Sequence, residues 1–245
     1  MIGLTSVTFR SLSPERILDL AKRAGLDGIE WGGDVHAPPG DTALAERIGK
    51  LSGEAGLAVF SYGSYYRLLR GDSFEPVLET ALALNAPLIR VWAGEIPSAE
   101  ADGPYYERAA AELKELCRKA SLRNVGVALE YHRGTLTDTC EGAREILRRA
   151  GAGNLSAYWQ PNPDLPLEEH CREIVTLLPS LSQVHVFHWE RGNIRRPLAE
   201  GAALWKTYIG LLGRERNYIM EFVKDGSEQN FLADAAVLKD LVRIG

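Results

Sequence analysis

Cysteine is scarce in this chain: Cys117, Cys140 and Cys171 lie far apart, without the spacing of a metal site or of a disulfide framework. They are expected to be packing or surface thiols, in keeping with a reducing cytoplasm. Long hydrophobic runs are missing too. No apolar stretch reaches about 18 residues, and Met1-Ile2-Gly3-Leu4 opens a strand pattern instead of a charged leader. The expectation is neither a membrane span nor a signal peptide. There is no basic surplus: 28 Lys+Arg against 33 Asp+Glu leave a net charge of −5, which argues against a nucleic-acid partner. With five histidines in all, a histidine-rich, multi-metal nuclease cluster is also disfavoured. Phosphate fingerprints are absent: no Gly-x-Gly-x-x-Gly follows the first strand pattern, and no Walker loop occurs.

What is present is one rhythm, repeated. Ile2–Thr8 reads as a strand, then Ser13 caps a helix with Pro14 at its first position and Gly25 at its end. The pattern predicts further strands at Asp27–Trp31, Leu57–Tyr62, Pro87–Trp92, Gly126 onward, Leu155–Trp159, Gln183–Phe187 and Tyr218–Phe222. A helical pattern follows each, and an aromatic loop at Tyr65-Tyr66 follows the third strand. Eight strand–helix units at even spacing require parallel strands with helical crossovers. Closed on itself, that is an α/β, single-domain (β/α)8 barrel spanning residues 1–245. A doubly wound open sheet is the structural alternative, weakened by the missing glycine fingerprint.

In such a barrel the functional groups sit at the C-terminal strand ends. These ends are rich in polar side chains: Glu30 and His36 after the second strand, Arg90 on the fourth, Glu130 and His132 on the fifth. Gln160 follows the sixth, His185 lies on the seventh, and Glu221 and Lys224 follow the eighth. The stretch Gly126-Val127-Ala128-Leu129-Glu130-Tyr131-His132 is the most telling, because a carboxylate ending a buried apolar run needs a partner. Period two puts Glu130 and His132 on the same side. Met220-Glu221 repeats the apolar-run-then-Glu form. Glu130, His185 and Glu221, with the amide oxygen of Gln160, would make a divalent site suited to Mn²⁺, Mg²⁺, Co²⁺ or Zn²⁺. Such an ion could stabilise an enediolate while Glu130 and Glu221 act as acid and base. The alternative for each glutamate is an ion pair with Arg90, Lys224 or Arg133. His170, within Glu168-Glu169-His170-Cys171-Arg172, reads as a solvated helix-face residue, and His188 as a loop or supporting residue.

Gly25-Leu26-Asp27-Gly28-Ile29-Glu30, Leu129-Glu130-Tyr131-His132, Val184-His185-Val186 and Met220-Glu221, in this order, give the chain a resemblance to the xylose isomerase-like TIM-barrel superfamily. Within it, the sugar phosphate isomerase/epimerase group is the most similar. The resemblance implies metal ligands at Glu130, His185 and Glu221, with an aspartate from strand six. Here strand six offers Gln160, or Asp164 beyond two prolines. It further implies that His132 points at substrate, that Arg191 or Arg195 touches it, and that the chain assembles as a homo-oligomer. The implied activity is metal-dependent isomerisation or epimerisation of a small ketose, polyol or sugar phosphate. Glu30, His36, Arg90, His132 and Lys224 are the expected substrate contacts. Dehydration of an inosose-like keto-polyol and non-catalytic sugar binding are the alternatives.

Overall fold

The computed structural model describes residues 1–244. In chain order the elements are β1 (Ile2–Thr5), α1 (Pro14–Arg23), β2 (Gly28–Gly32), α2 (Thr42–Glu54), β3 (Ala58–Arg67), α3 (Glu75–Ala83) and β4 (Leu88–Trp92). Then come α4 (Gly103–Ser121), β5 (Gly126–Leu129), α5 (Cys140–Ala150), β6 (Leu155–Trp159), α6 (Leu167–Leu177) and β7 (Leu181–Val186). A short ribbon, β8 (His188–Glu190) and β9 (Ile194–Arg196), precedes α7 (Ala202–Leu212), β10 (Asn217–Met220) and α8 (Glu228–Ile244). Eight strands close into a barrel in the order β1-β10-β7-β6-β5-β4-β3-β2. Every neighbouring pair in the barrel is parallel. The rhythm of the sequence is therefore that of a (β/α)8 barrel.

Local chemistry sets the element ends. Ser13 accepts the amide of Arg16 and Pro14 opens α1, supplying partners where the first helical turn has none of its own. Strands buried on both faces need apolar side chains throughout, which is why Val127 and Leu129 of β5 and Ile29 of β2 have no exposed surface. Burying one such side chain contributes roughly 1.5–3 kcal/mol. The three cysteines are free thiols, with Cys117 and Cys140 buried. Among the described residues no helix is long and apolar enough to cross a membrane.

Three features depart from the sequence reading. β1 stops at Thr5, and Ser6–Phe9 form a 3-10 turn that throws Arg10 toward the barrel mouth. β3 continues through Tyr65 and Tyr66, so the aromatic loop is strand, with Tyr65 at φ 58° and a shifted register against β4. His170 on α6 faces inward, 5% exposed, because it is held between the Tyr208 hydroxyl (2.7 Å) and the Asn162 carbonyl (2.9 Å).

Candidate active site

Four side chains converge at the C-terminal mouth: Glu130, Gln160, His185 and Glu221. They come from β5, β6, β7 and β10, which are consecutive around the barrel. The two glutamates sit one residue beyond their strands, yet the ladder still holds them. Glu130 N donates to the Val91 carbonyl (3.1 Å), and Glu221 N to the Val186 carbonyl (3.0 Å). Ligand atoms of Glu130, His185 and Glu221 all lie within 4.8 Å of one another, and all three residues are buried.

The donor and acceptor arrangement says what belongs between them. Gln160 Nε2 donates to the Tyr131 carbonyl (2.8 Å), which turns its Oε1 toward His185 Nδ1 at 3.1 Å. Glu221 Oε2 (3.5 Å) and Glu130 Oε1 (3.7 Å) face the same nitrogen. The other ring nitrogen, Nε2, lies 3.3 Å from Glu30 Oε1. A neutral imidazole has one N–H to give. Spent on Glu30, it leaves the Nδ1 lone pair facing three oxygens that only accept. Such convergence of lone pairs is stable around a cation. A Glu30–His185 contact of this kind also fixes tautomer and ring orientation, as an outer partner does for a metal-bound histidine. The charge count agrees. Glu30, Glu130 and Glu221 are buried carboxylates set against a single buried guanidinium, Arg90, an excess that one divalent cation would balance. The residues present thus fit a hard-to-borderline divalent ion.

Arg90 organises the floor. Its Nη1 donates to Glu130 Oε2, and its Nε lies 3.4 Å from Glu30 Oε1. Trp92 Nε1 donates to the same Glu130 Oε2, so Glu130 Oε1 is left to face Gln160 and His185. Gly63 makes room for this: a Cβ there would stand 2.5 Å from Arg90 Nη2. Burial alone would raise the Glu30 carboxyl, but the charge of Arg90 and the hydrogen bonds from His185 and the Ser61 hydroxyl (2.9 Å) overcome it and hold it far below the usual range.

Above the cluster opens a cavity of about 240 Å³, walled by Tyr65, Trp92, His132, Phe187, Trp189 and Phe222, with Arg10, Arg90 and Arg133 among its polar lining. His132 stacks on Trp92 (ring centroids 4.8 Å apart), and its Nδ1 lies 2.8 Å from the Arg133 carbonyl. That contact assigns the proton to Nδ1. Burial lowers its pKa against that bond, helped by the cations of Arg90, Arg67 and Arg133.

Of the residues expected to meet substrate, Arg90 and His132 line the cavity, and three others do not. Glu30 is fully buried beneath the cluster, engaged by Ser61, Arg90 and His185, because it lies two residues before the end of β2, whereas Glu130 and Glu221 lie one residue past their strands. His36 is turned away into contacts with Ser6 Oγ (3.0 Å) and the Leu12 carbonyl (3.1 Å). Lys224 is exposed, because Phe222, at φ 52°, turns the chain out of the barrel directly after Glu221. Asp164, the other acid near strand six, pairs with Arg133 at 3.2 Å and stands outside the cluster. Arg191 reaches the Asp164 carbonyl (3.4 Å), whereas Arg195 lies over Trp189 and Phe222. Arg10 went unread in the sequence. Its signal would have been a polar residue shortly after the first strand, hidden because Thr8 and Phe9 extend the strand-like pattern.

The chain matches the model of the xylose isomerase-like TIM barrel over residues 18–241 and belongs to that family. Among solved structures it is similar to the probable 3-DHS dehydratase AsbF, involved in petrobactin synthesis, from Bacillus anthracis. The TM-score is 0.84 and the identity 20%, covering 97% of this chain and 98% of that one. The 3-keto-D-glucoside 4-epimerase YcjR from E. coli gives 0.73 at 17%, with 100% and 99% covered. A D-psicose 3-epimerase from Clostridium cellulolyticum H10, solved with D-tagatose, gives 0.73 at 14%, with 99% and 98% covered. At these identities the likeness is one of fold. No curated protein matches the sequence.

Proposed function

We propose that the protein is a divalent-metal-dependent enzyme that moves a proton next to the carbonyl of a small ketose, polyol or sugar phosphate, as an isomerase or epimerase. The observation that carries this reading is the convergence of Glu130, Gln160, His185 and Glu221, three side-chain oxygens facing His185 Nδ1, drawn from four consecutive strands. These four residues would hold the ion, and when bound it would supply Lewis acidity to neighbouring substrate oxygens. Glu221 has the freer carboxylate, since Glu130 Oε2 already accepts from Arg90 and Trp92. In this reading Glu221 takes the proton, and Glu130 contributes from the other face of the reacting carbon. Arg90 and His132 bind and orient the substrate, and the aromatic wall of Trp92, Trp189 and Phe222 excludes water.

Dehydration of a keto-polyol is the second reading. The similarity to a dehydratase, TM-score 0.84 against 0.73 for the two epimerases, favours it, and its first step is the same proton abstraction.

The test is solvent proton exchange. Protein purified without chelator is assayed for bound metal, then followed by NMR in D₂O with ketoses, inososes and their phosphates. Deuterium incorporation that needs a divalent metal and disappears in Glu221→Gln is the expected result. A chain that binds no divalent metal would instead be a sugar-binding barrel without catalysis. Product analysis of the exchanging compound separates isomer or epimer from an eliminated water.

A further inference from the structure

Two cations share one ring at the cavity mouth. The Arg10 guanidinium lies 5.4 Å from the Phe222 ring centroid and that of Arg195 lies 4.7 Å from the same centroid. They are therefore within about 10 Å of each other, a range at which exposed charges still interact in ordinary salt. The surrounding charges do not balance them equally. Arg10 pairs with Asp34 (2.5 Å), donates to the Val7 carbonyl (3.2 Å) and the Tyr65 hydroxyl (2.7 Å), and keeps N–H donors to spare. Arg195 makes no hydrogen bond and no ion pair among the described residues. It rests on the faces of Trp189 and Phe222, both of which line the cavity. Burial lowers its pKa, Glu221 draws it back up and Arg10 opposes it. Glu221 itself is turned to His185. An exposed guanidinium set over aromatic rings, with no ion pair of its own and a second cation on the same ring, leaves N–H donors free for an anion.

We propose that Arg195 and Arg10 form an anion subsite at the cavity mouth, so that the substrate carries a carboxylate or phosphate group at the end remote from the reacting carbon. This deepens the proposed function and rests on its placement of the reaction at the Glu130–His185–Glu221 cluster. A planar guanidinium matches either oxyanion with paired N–H donors. The position of Phe222 explains the spacing: its left-handed backbone, with its N–H on Thr8 Oγ1 (3.1 Å), fixes the ring one residue beyond Glu221. The anionic tail would then lie against Phe222, with the reacting carbon inward at Glu221.

The test compares matched probes on the Mn²⁺-loaded full-length protein by isothermal titration calorimetry, at low and high salt. Quinate against myo-inositol reports on a carboxylate, and fructose 6-phosphate against fructose on a phosphate. In at least one pair the anion is expected to bind about tenfold or more tightly than its neutral partner, and the pair that shows it identifies the group. Arg195→Gln should abolish that preference, while Arg191→Ala should keep it. Failure of every anion to outbind its neutral partner, or a preference undiminished in Arg195→Gln, overturns the subsite. Deuterium exchange separates this from the proposed function. Exchange on neutral sugars with no anion preference sinks the subsite alone. An Arg195-dependent preference without exchange on any compound sinks the proton-transfer reading and leaves the subsite standing.

Discussion

Arg90 donates to Glu130 Oε2 while its Nε lies 3.4 Å from Glu30, so one buried guanidinium at the cavity floor links a carboxylate of β2 to one at the end of β5. Its charge is the largest influence holding the Glu30 carboxyl down against burial. Replacing Arg90 by Met would leave uncompensated buried charge, and the expected loss is about 3–5 kcal/mol. Urea unfolding in the presence of EDTA measures it. A loss below about 1 kcal/mol would show that the pair is not what neutralises the floor.

Glu30 serves His185 in this structure and does not reach the cavity. Glu30→Gln should therefore weaken Mn²⁺ binding, by about 10–100-fold, as loss of an outer partner does. Calorimetric titration with Mn²⁺ is the check. Unchanged metal affinity with a raised KM for a substrate found by exchange would return Glu30 to substrate binding.

The ends of β5 and β6 are tied from behind by α6. Glu173 accepts from the Tyr131 hydroxyl (2.6 Å) and from Trp159 Nε1 (3.2 Å), and Tyr131 sits between Glu130 and His132. Tyr131→Phe leaves one oxygen of a buried carboxylate without its donor, a cost of about 1–3 kcal/mol. Denaturant unfolding followed by tryptophan fluorescence would register it. Stability within about 0.5 kcal/mol of the parent, the range of surface substitutions, would contradict the tie.

Asp234 supplies the pH prediction. Burial pushes its carboxyl up to about 6, against the hydrogen bond that it accepts from Leu198 N at 2.8 Å. An acid whose folded pKa exceeds its unfolded value stabilises the fold fully below the unfolded pKa. That contribution is lost as pH rises through about 6. Asp234→Asn keeps an acceptor for Leu198 and never ionises. It should therefore be more stable than the parent at pH 8, by on the order of 1 kcal/mol, with the gap closing as pH falls below the unfolded pKa near about 4. A gap of the opposite sign, or one unchanged between those pH values in urea titrations, would be evidence against the assignment.

The barrel was legible because doubly buried parallel strands write themselves as apolar runs, and helix caps such as Ser13-Pro14 mark what lies between. Glu130, His185 and Glu221 were legible for the same reason: a titratable group at the end of an apolar run stands out. Glu30 stood out equally, and its position looked the same on paper. β2 runs on to Gly32, so Glu30 lies within the strand, under His185, instead of past its end at the cavity. His36 and His170 show how little a lone histidine says. One was expected at a substrate and the other in solvent, and both are turned into fixed hydrogen bonds, with Ser6 and Leu12 and with Tyr208 and Asn162.

The sequence by itself determined the eight-unit barrel, the family and which acids end its strands, because hydrophobic periodicity and helix capping act over a few residues and leave local marks. The tertiary structure decided which groups meet. Closure of the barrel set Glu130, Gln160, His185 and Glu221 on neighbouring strands, enclosed Arg90 between two carboxylates and brought Arg10 and Arg195 to one phenylalanine ring. Those relations join residues as far as 212 positions apart, and such contacts depend on strand order and height, which no short stretch of sequence encodes.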